Sequence, residues 1–253
     1  MKKKGWIQVI TAVAVWLGIW QILSVRINRT VFLPSLLEVG KALVQIGITE
    51  EFYLSIRNSL LHVLSGFLLA VTMGSLLAVF SYWNKWLFAF IQVPIKLIQA
   101  TPVASFTMLA LVWISSKYLS ILVSFLMVLP TITIYIRQGL LETDSKLLEM
   151  ALVYRMSFMQ KIRYIYLPAL LPYFLSACSV GVGMSWKSGI AAEVIGVTRH
   201  SIGNQLYQAK LYLMTPELFA WTFVIIAVSI TVEYSMMWAI NRCRRRIEGR
   251  TKR

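Results

Sequence analysis

Charge is scarce in this chain. Asp, Glu, Lys and Arg make up 14% of its 253 residues, against about 25% in a soluble domain. Cysteine is scarcer still. Cys178 lies in an apolar run and Cys243 in a basic tail, so the pair sits at different depths and an intrachain disulfide is not expected. No CxxC and no Cys/His cluster occurs, which removes the usual zinc-site patterns. The phosphate-loop pattern G-x-x-x-x-G-K-[ST] is missing, so the chain is not expected to hydrolyse ATP itself. No H-E-x-x-H and no recognisable nucleophile–base pair occurs, and none of His62, Glu193 and Lys187 joins a catalytic constellation. There is no internal repeat, low-complexity tract or linker. Residues 1–253 are therefore read as one domain, with no cofactor and no bound metal expected.

Apolar residues supply what is left, at 58% of the chain and a mean hydropathy of +0.70. They fall in runs long enough to cross a bilayer. The expected class is an all-α, polytopic membrane protein of about six transmembrane helices. The net charge of +15 could suggest nucleic-acid binding, but its distribution argues otherwise. Lys and Arg crowd at Lys2 to Lys4, within 146–163, and in the tail 242–253. Each cluster abuts an apolar span, as the positive-inside rule expects of cytoplasmic segments. Both termini are accordingly expected inside.

The spans read as residues 6–25, 59–82, 87–115, 118–136, 167–195 and 216–240. The first resembles a signal peptide, but it is long and no small-x-small cleavage site closes it, so it reads as an uncleaved span. Pro34 and Ser35 open an amphipathic stretch on the outer face. Pro94 and Pro102 are expected to break the third span, and Pro130 to bend the fourth. Trp83 and Trp86 sit at interface depth.

The inner loop 138–166 carries the strongest local signals. Asp144 or Ser145 can cap a short helix with Leu147, Leu148, Ala151 and Leu152 on one apolar face. Ser157 followed by Gln160 forms a capping box that opens a second helix, expected over 158–166. Tyr154, Arg155, Met156 and Phe158 are expected at the tip between them. Leu167 and Pro168 then start the fifth span.

Glu149-Met150-Ala151, Arg155 at the turn, then Ile165, Leu167 and Pro168 resemble the EAA loop of ABC importer permeases. In that family the loop reads Glu-Ala-Ala, three residues, Gly, nine residues, Ile-x-Leu-Pro. Two departures stand out: Met150 replaces the second motif residue, and Arg155 replaces the turn glycine, which accepts positive φ more readily. The resemblance extends over roughly 33–245 and is nearest the nitrate/sulfonate/taurine branch. It is carried by Leu33-Pro34-Ser35, Ser59-Leu60 with Gly66-Phe67, Thr101-Pro102 with Ala104, and Trp186 with Ala192-Glu193.

The resemblance implies a type I importer subunit with core 59–241, working by alternating access in the cell membrane. Implied partners are ABC ATPase subunits, an extracytoplasmic binding protein and a second permease copy. Glu149, Ala151, Tyr154, Arg155, Met156, Ser157 and Phe158 would contact the ATPase. Within the spans, Lys96, Trp186, Lys187 and Glu193 are the candidates for a translocation path or gate, since polar groups at membrane depth are costly. Lys187 and Glu193 do not share a helix face. The cargo would be a small solute such as a sulfonate, taurine, nitrate or a vitamin precursor. Two other classes remain open: an ion-gradient-driven transporter and a membrane-embedded enzyme.

Overall fold

A computed structural model describes residues 2–27 and 29–251, almost entirely as helix. The side chains of Lys2 to Lys4 and of Cys243 to Arg253, which carry much of the expected inside charge, lie outside the described residues. Among the described residues, five helices are long and apolar enough to cross a membrane, or six if one sharply bent pair is a single span.

Helix α1 spans Lys2–Ile27 and α2 spans Leu36–Gly47. The start of α2 is fixed by a capping box in which Ser35 accepts from the Glu38 N–H and Glu38 accepts from the Ser35 N–H. Helix α3, Glu50–Trp83, begins about two turns before the expected span. Thr49 caps it, with Glu50 and Glu51 in its first turn, where the helix dipole favours acidic groups.

The third apolar run divides into α4, Lys85–Ala100, and α5, Val103–Ala110, which meet at 105°. Only Pro102 breaks the run; Pro94 lies inside α4. Helix α6, Ser116–Leu141, continues through Pro130 as one helix. The loop expected on the inside holds α7, Ser145–Val153, and α8, Phe158–Lys161. Helices α9, Leu167–Gly196, α10, Ile202–Leu211, and α11, Thr215–Thr251, complete the chain.

Helix α6 is the hub, packed along α3 on one side and α9 on the other. Phe67, Ala70 and Ala78 of α3 meet Val128, Leu129, Ile132 and Ile136 of α6 and Ala177, Cys178 and Val182 of α9. Small residues bring the backbones close. A Cβ at Gly66 would sit against the Ile121 carbonyl, and one at Gly189 against Ser124 and Val63. Ser120 and Ser124 use that proximity to donate to the Gly189 and Ser185 carbonyls, at 3.1 and 3.0 Å. Such hydrogen bonds and close packing, rather than the hydrophobic effect, hold helices together in lipid. Gly189 therefore tightens α9 against α6 and does not break it.

Candidate functional site

The inner loop folds from its caps. Asp144 accepts from the Lys146 N–H at 2.9 Å and starts α7. Ser157 accepts from the Gln160 N–H at 3.4 Å, while Gln160 accepts from the Ser157 N–H at 2.7 Å. Between them, Arg155 adopts φ 51°. Its N–H donates to the Leu152 carbonyl at 3.1 Å, and the Met156 N–H donates to the Ala151 carbonyl at 2.9 Å. This is a Schellman ending, in which one left-handed residue reverses the chain. Arg155 thus takes a left-handed conformation that glycine accepts more readily.

The second loop helix does not end where expected. After α8 the chain passes through a π turn, Ile162–Tyr166, directly into α9. Phe158 to Gly196 is one run of 39 residues. The Leu167 N–H reaches back five residues to the Ile162 carbonyl. That wider turn adapts the helix to Pro168, which has no N–H to donate.

The tip exposes a dense apolar surface. Val153 is 80% exposed, Tyr154 75%, Leu152 67% and Phe158 62%. Glu149, Arg155 and Ser157 are also exposed, and Met156 is partly so. Ala151 is fully buried within this chain, so it supports the loop from inside rather than facing outward. The expected common face of α7 accordingly divides: Leu148 and Ala151 turn inward, and Leu147 and Leu152 turn out. Phe158 lies 6.5 Å, ring to ring, from Trp83 at the end of α3, which ties the tip to the membrane-spanning part.

The intramembrane candidates separate into two groups. Trp186 is 2% exposed, and its indole N–H donates to the Ile225 carbonyl at 3.3 Å. Glu193 is fully buried. It accepts from Ser59 Oγ at 2.6 Å and from the Gly203 N–H at 3.2 Å, and its other oxygen lies 3.9 Å from His62 Nδ1. These two residues lock α9 to its neighbours. Ser59 and Gly203 as the partners of Glu193 escape sequence reasoning, because α3 and α10 meet α9 only in the folded chain.

Lys96 and Lys187 are exposed. Lys187 shares an open α9 face with Met184 and Val180, one and two turns away. Lys96 lines a cavity of about 220 Å³ between α4 and α6, together with Gln92, Gln99, Phe88 and Arg137. Arg137 reads from sequence as an anchor at a helix end; its place opposite Lys96 depends on how α4 crosses α6. No group of three or more His, Cys, Asp or Glu suited to a metal occurs among the described residues.

The family profile described as binding-protein-dependent transport system inner membrane component matches residues 70–249. The chain belongs to that family. Its relatives include SsuC of Bacillus subtilis, a protein named for aliphatic sulfonate transport, 23% identical over 90% of this chain and 83% of its own length. The nitrate import permease NrtB of Synechococcus elongatus is 26% identical, over 77% of this chain and 73% of its own. The taurine transport system permease TauC of Escherichia coli is 22% identical, over 86% and 81%. In fold, the chain resembles the crystal structure of an amino acid ABC transporter with histidines, at a TM-score of 0.56 and 21% identity. That match covers 76% of this chain and 94% of the other.

Family membership makes this chain a multi-pass ABC permease, the membrane component of a transport system. The loop at 149–168 lies inside the matched region. Within this permease the turn residue is Arg155, held left-handed by the two backbone hydrogen bonds described above.

Proposed function

We propose that this permease forms the translocation pore of an ATP-driven importer, and that its inner loop is the docking element for a separate ATPase. The exposed apolar tip carries the reading. Val153, Tyr154 and Phe158 stand in solvent on a turn fixed by two caps and a Schellman ending. A large exposed apolar patch marks a surface that a partner covers. Glu149, Arg155, Met156 and Ser157 border this tip and complete the contact.

The cycle follows from that contact. ATP closes the partner ATPases, the loops are drawn together, and the spans tilt to open outward. An extracytoplasmic binding protein delivers a small solute, and hydrolysis restores the inward-facing state. Two copies of this chain pair along the open α9 face of Val180, Met184 and Lys187. The loop and both termini are cytoplasmic. The relatives' names support a sulfonate, taurine or nitrate as cargo, with a vitamin precursor in the same size range. Lys96 lies on the route, and Trp186 and Glu193 act on it as packing residues of the gate.

The test is reconstitution with a candidate ABC ATPase and a candidate extracytoplasmic binding protein from the same organism. Uptake should require ATP and persist when ion gradients are collapsed. Uptake that follows an ion gradient without ATP would replace this reading with a secondary transporter.

A further inference from the structure

Helix α4 carries two stripes. Trp86, Phe90, Val93 and Leu97 form an exposed apolar one, each more than 60% exposed. Gln92, Lys96 and Gln99, at spacings of four and three, form a polar one that lines the cavity against α6. Opposite stands Arg137, its guanidinium carbon 3.6 Å from the centre of the Phe88 ring. Its Nε–H is buried without a hydrogen-bond partner.

The cavity's lining contains two cations and no Asp or Glu. Neither cation makes an ion pair among the described residues. The acid nearest in sequence, Glu142, is engaged by Gln138, whose Nε2 donates to it at 2.7 Å. Unpaired cations at membrane depth are costly, and like charges in one small cavity add repulsion. The guanidinium sits over the Phe88 ring, and an arginine's fork of N–H groups suits two-pronged hydrogen bonding to an oxyanion. The volume, about 220 Å³, is below the roughly 300–1,000 Å³ of sites for drug-sized ligands. It suits one small acidic group.

We propose that the cavity between α4 and α6 binds an oxyanion of the sulfonate, phosphate or carboxylate class, held between Arg137 and Lys96 with Gln92 and Gln99 as neutral donors. Two sources share this chemistry. The anion is either the charged group of the cargo, in which case the inference rests on the importer reading and defines its substrate class, or the headgroup of an acidic lipid. Basic pockets between helices near the cytoplasmic side do take such headgroups, and Arg137 lies one turn from the inner end of α6.

The experiment uses the full chain in nanodiscs of phosphatidylcholine. Methanesulfonate and inorganic phosphate are titrated at fixed ionic strength against chloride, with binding read by calorimetry. Saturable binding is expected, weakened at least tenfold in Arg137→Gln and in Lys96→Gln. Arg137→Lys should recover part of it, which a packing role alone would not do. Lys96 is exposed, so Lys96→Gln carries the test if Arg137→Gln does not fold.

In the lipid arm, phosphatidylglycerol is added to the nanodiscs. Retention of that lipid by the wild type in native mass spectrometry, lost in Arg137→Gln, together with blocked methanesulfonate binding, assigns the site to a headgroup. Unchanged methanesulfonate binding assigns it to a soluble anion. The proposal is overturned if neither soluble anions nor phosphatidylglycerol distinguish the wild type from the two glutamine variants. ATPase capture is scored on the same wild-type sample. Capture with neither soluble-anion nor phosphatidylglycerol binding at the site removes this inference alone; binding of either without capture removes the importer reading alone.

Discussion

Ser59 donates its hydroxyl to Glu193 Oε2 at 2.6 Å and accepts the Ile202 N–H on the same oxygen at 2.9 Å. One small side chain thus joins α3, α9 and the start of α10. Its loss leaves a buried carboxyl with one fewer donor and an N–H with none. Leaving a buried polar group unsatisfied costs about 1–3 kcal/mol. Ser59→Ala should lower the thermal unfolding midpoint of the purified chain. Glu193→Gln keeps an acceptor oxygen and should stay nearer the wild type than Glu193→Ala. Equal midpoints for those two Glu193 variants would show that the hydrogen bonds contribute nothing.

Tyr154→Asp and Phe158→Asp place charge on an exposed surface, so the chain should fold and insert normally. Capture of the ATPase should drop at least tenfold, and uptake should be lost. Ala151→Asp should fail differently. Its position is fully buried within the chain, and a buried unpaired charge costs several kcal/mol. The loop itself should loosen, visible as faster proteolysis between α7 and α8 before any ATPase is added. A fully stable Ala151→Asp chain would contradict the inward placement.

Arg155 occupies left-handed backbone, which costs a non-glycine residue roughly 1–2 kcal/mol. Glycine removes that cost but gives back up to about 1 kcal/mol of unfolded-chain entropy. Arg155→Gly should therefore match or slightly exceed the wild type in thermal stability. Arg155→Val should fall below both, because β-branched residues tolerate this conformation worst. If Arg155→Val unfolds at the wild-type temperature, the turn has another shape.

Cysteine cross-linking can test the pairing of two copies. Val180 and Met184 are exposed on α9, whereas Val182 and Ile190 are buried. Cysteines at 180 and 184 should trap a dimer under mild oxidation; cysteines at 182 and 190 should not. A complex containing one copy of this chain and a different permease would replace the homodimer. Labelling of Ser157→Cys should require a membrane-permeant reagent in intact cells, since the loop is assigned to the inside.

The apolar runs made the spans legible, since a bilayer demands about 20 apolar residues whatever their order. The loop caps at Asp144 and Ser157 were legible for a local reason: donor and acceptor lie two or three residues apart. The Ser59–Glu193 pair was not, because its members are 134 residues apart and each reads alone as an ordinary polar residue. Ala151 was misplaced because a nine-residue helix offers too few positions to fix which apolar face turns inward. The end of the second loop helix was also misread. Pro168 reads from sequence as the first turn of a separate span, and only the backbone reveals that a π turn joins the loop helix to that span without a break. Val197 and His200 take left-handed backbone without being glycine, against the local preference that sequence reading uses.

The run from Phe158 to Gly196 contains 39 residues, which at 1.5 Å each is about 58 Å of helix. One end is the exposed tip, and the far end carries Glu193 in the three-helix clamp. Tip and clamp are therefore two ends of a single lever. A tilt imposed at Phe158 reaches the Glu193 end with no intervening loop to absorb it. The π turn is where the lever can change its twist, at the foot of the membrane-crossing part. Shortening that turn by one residue would rotate everything above it by about 100°, turning Lys187 and Glu193 away from the surroundings they now face.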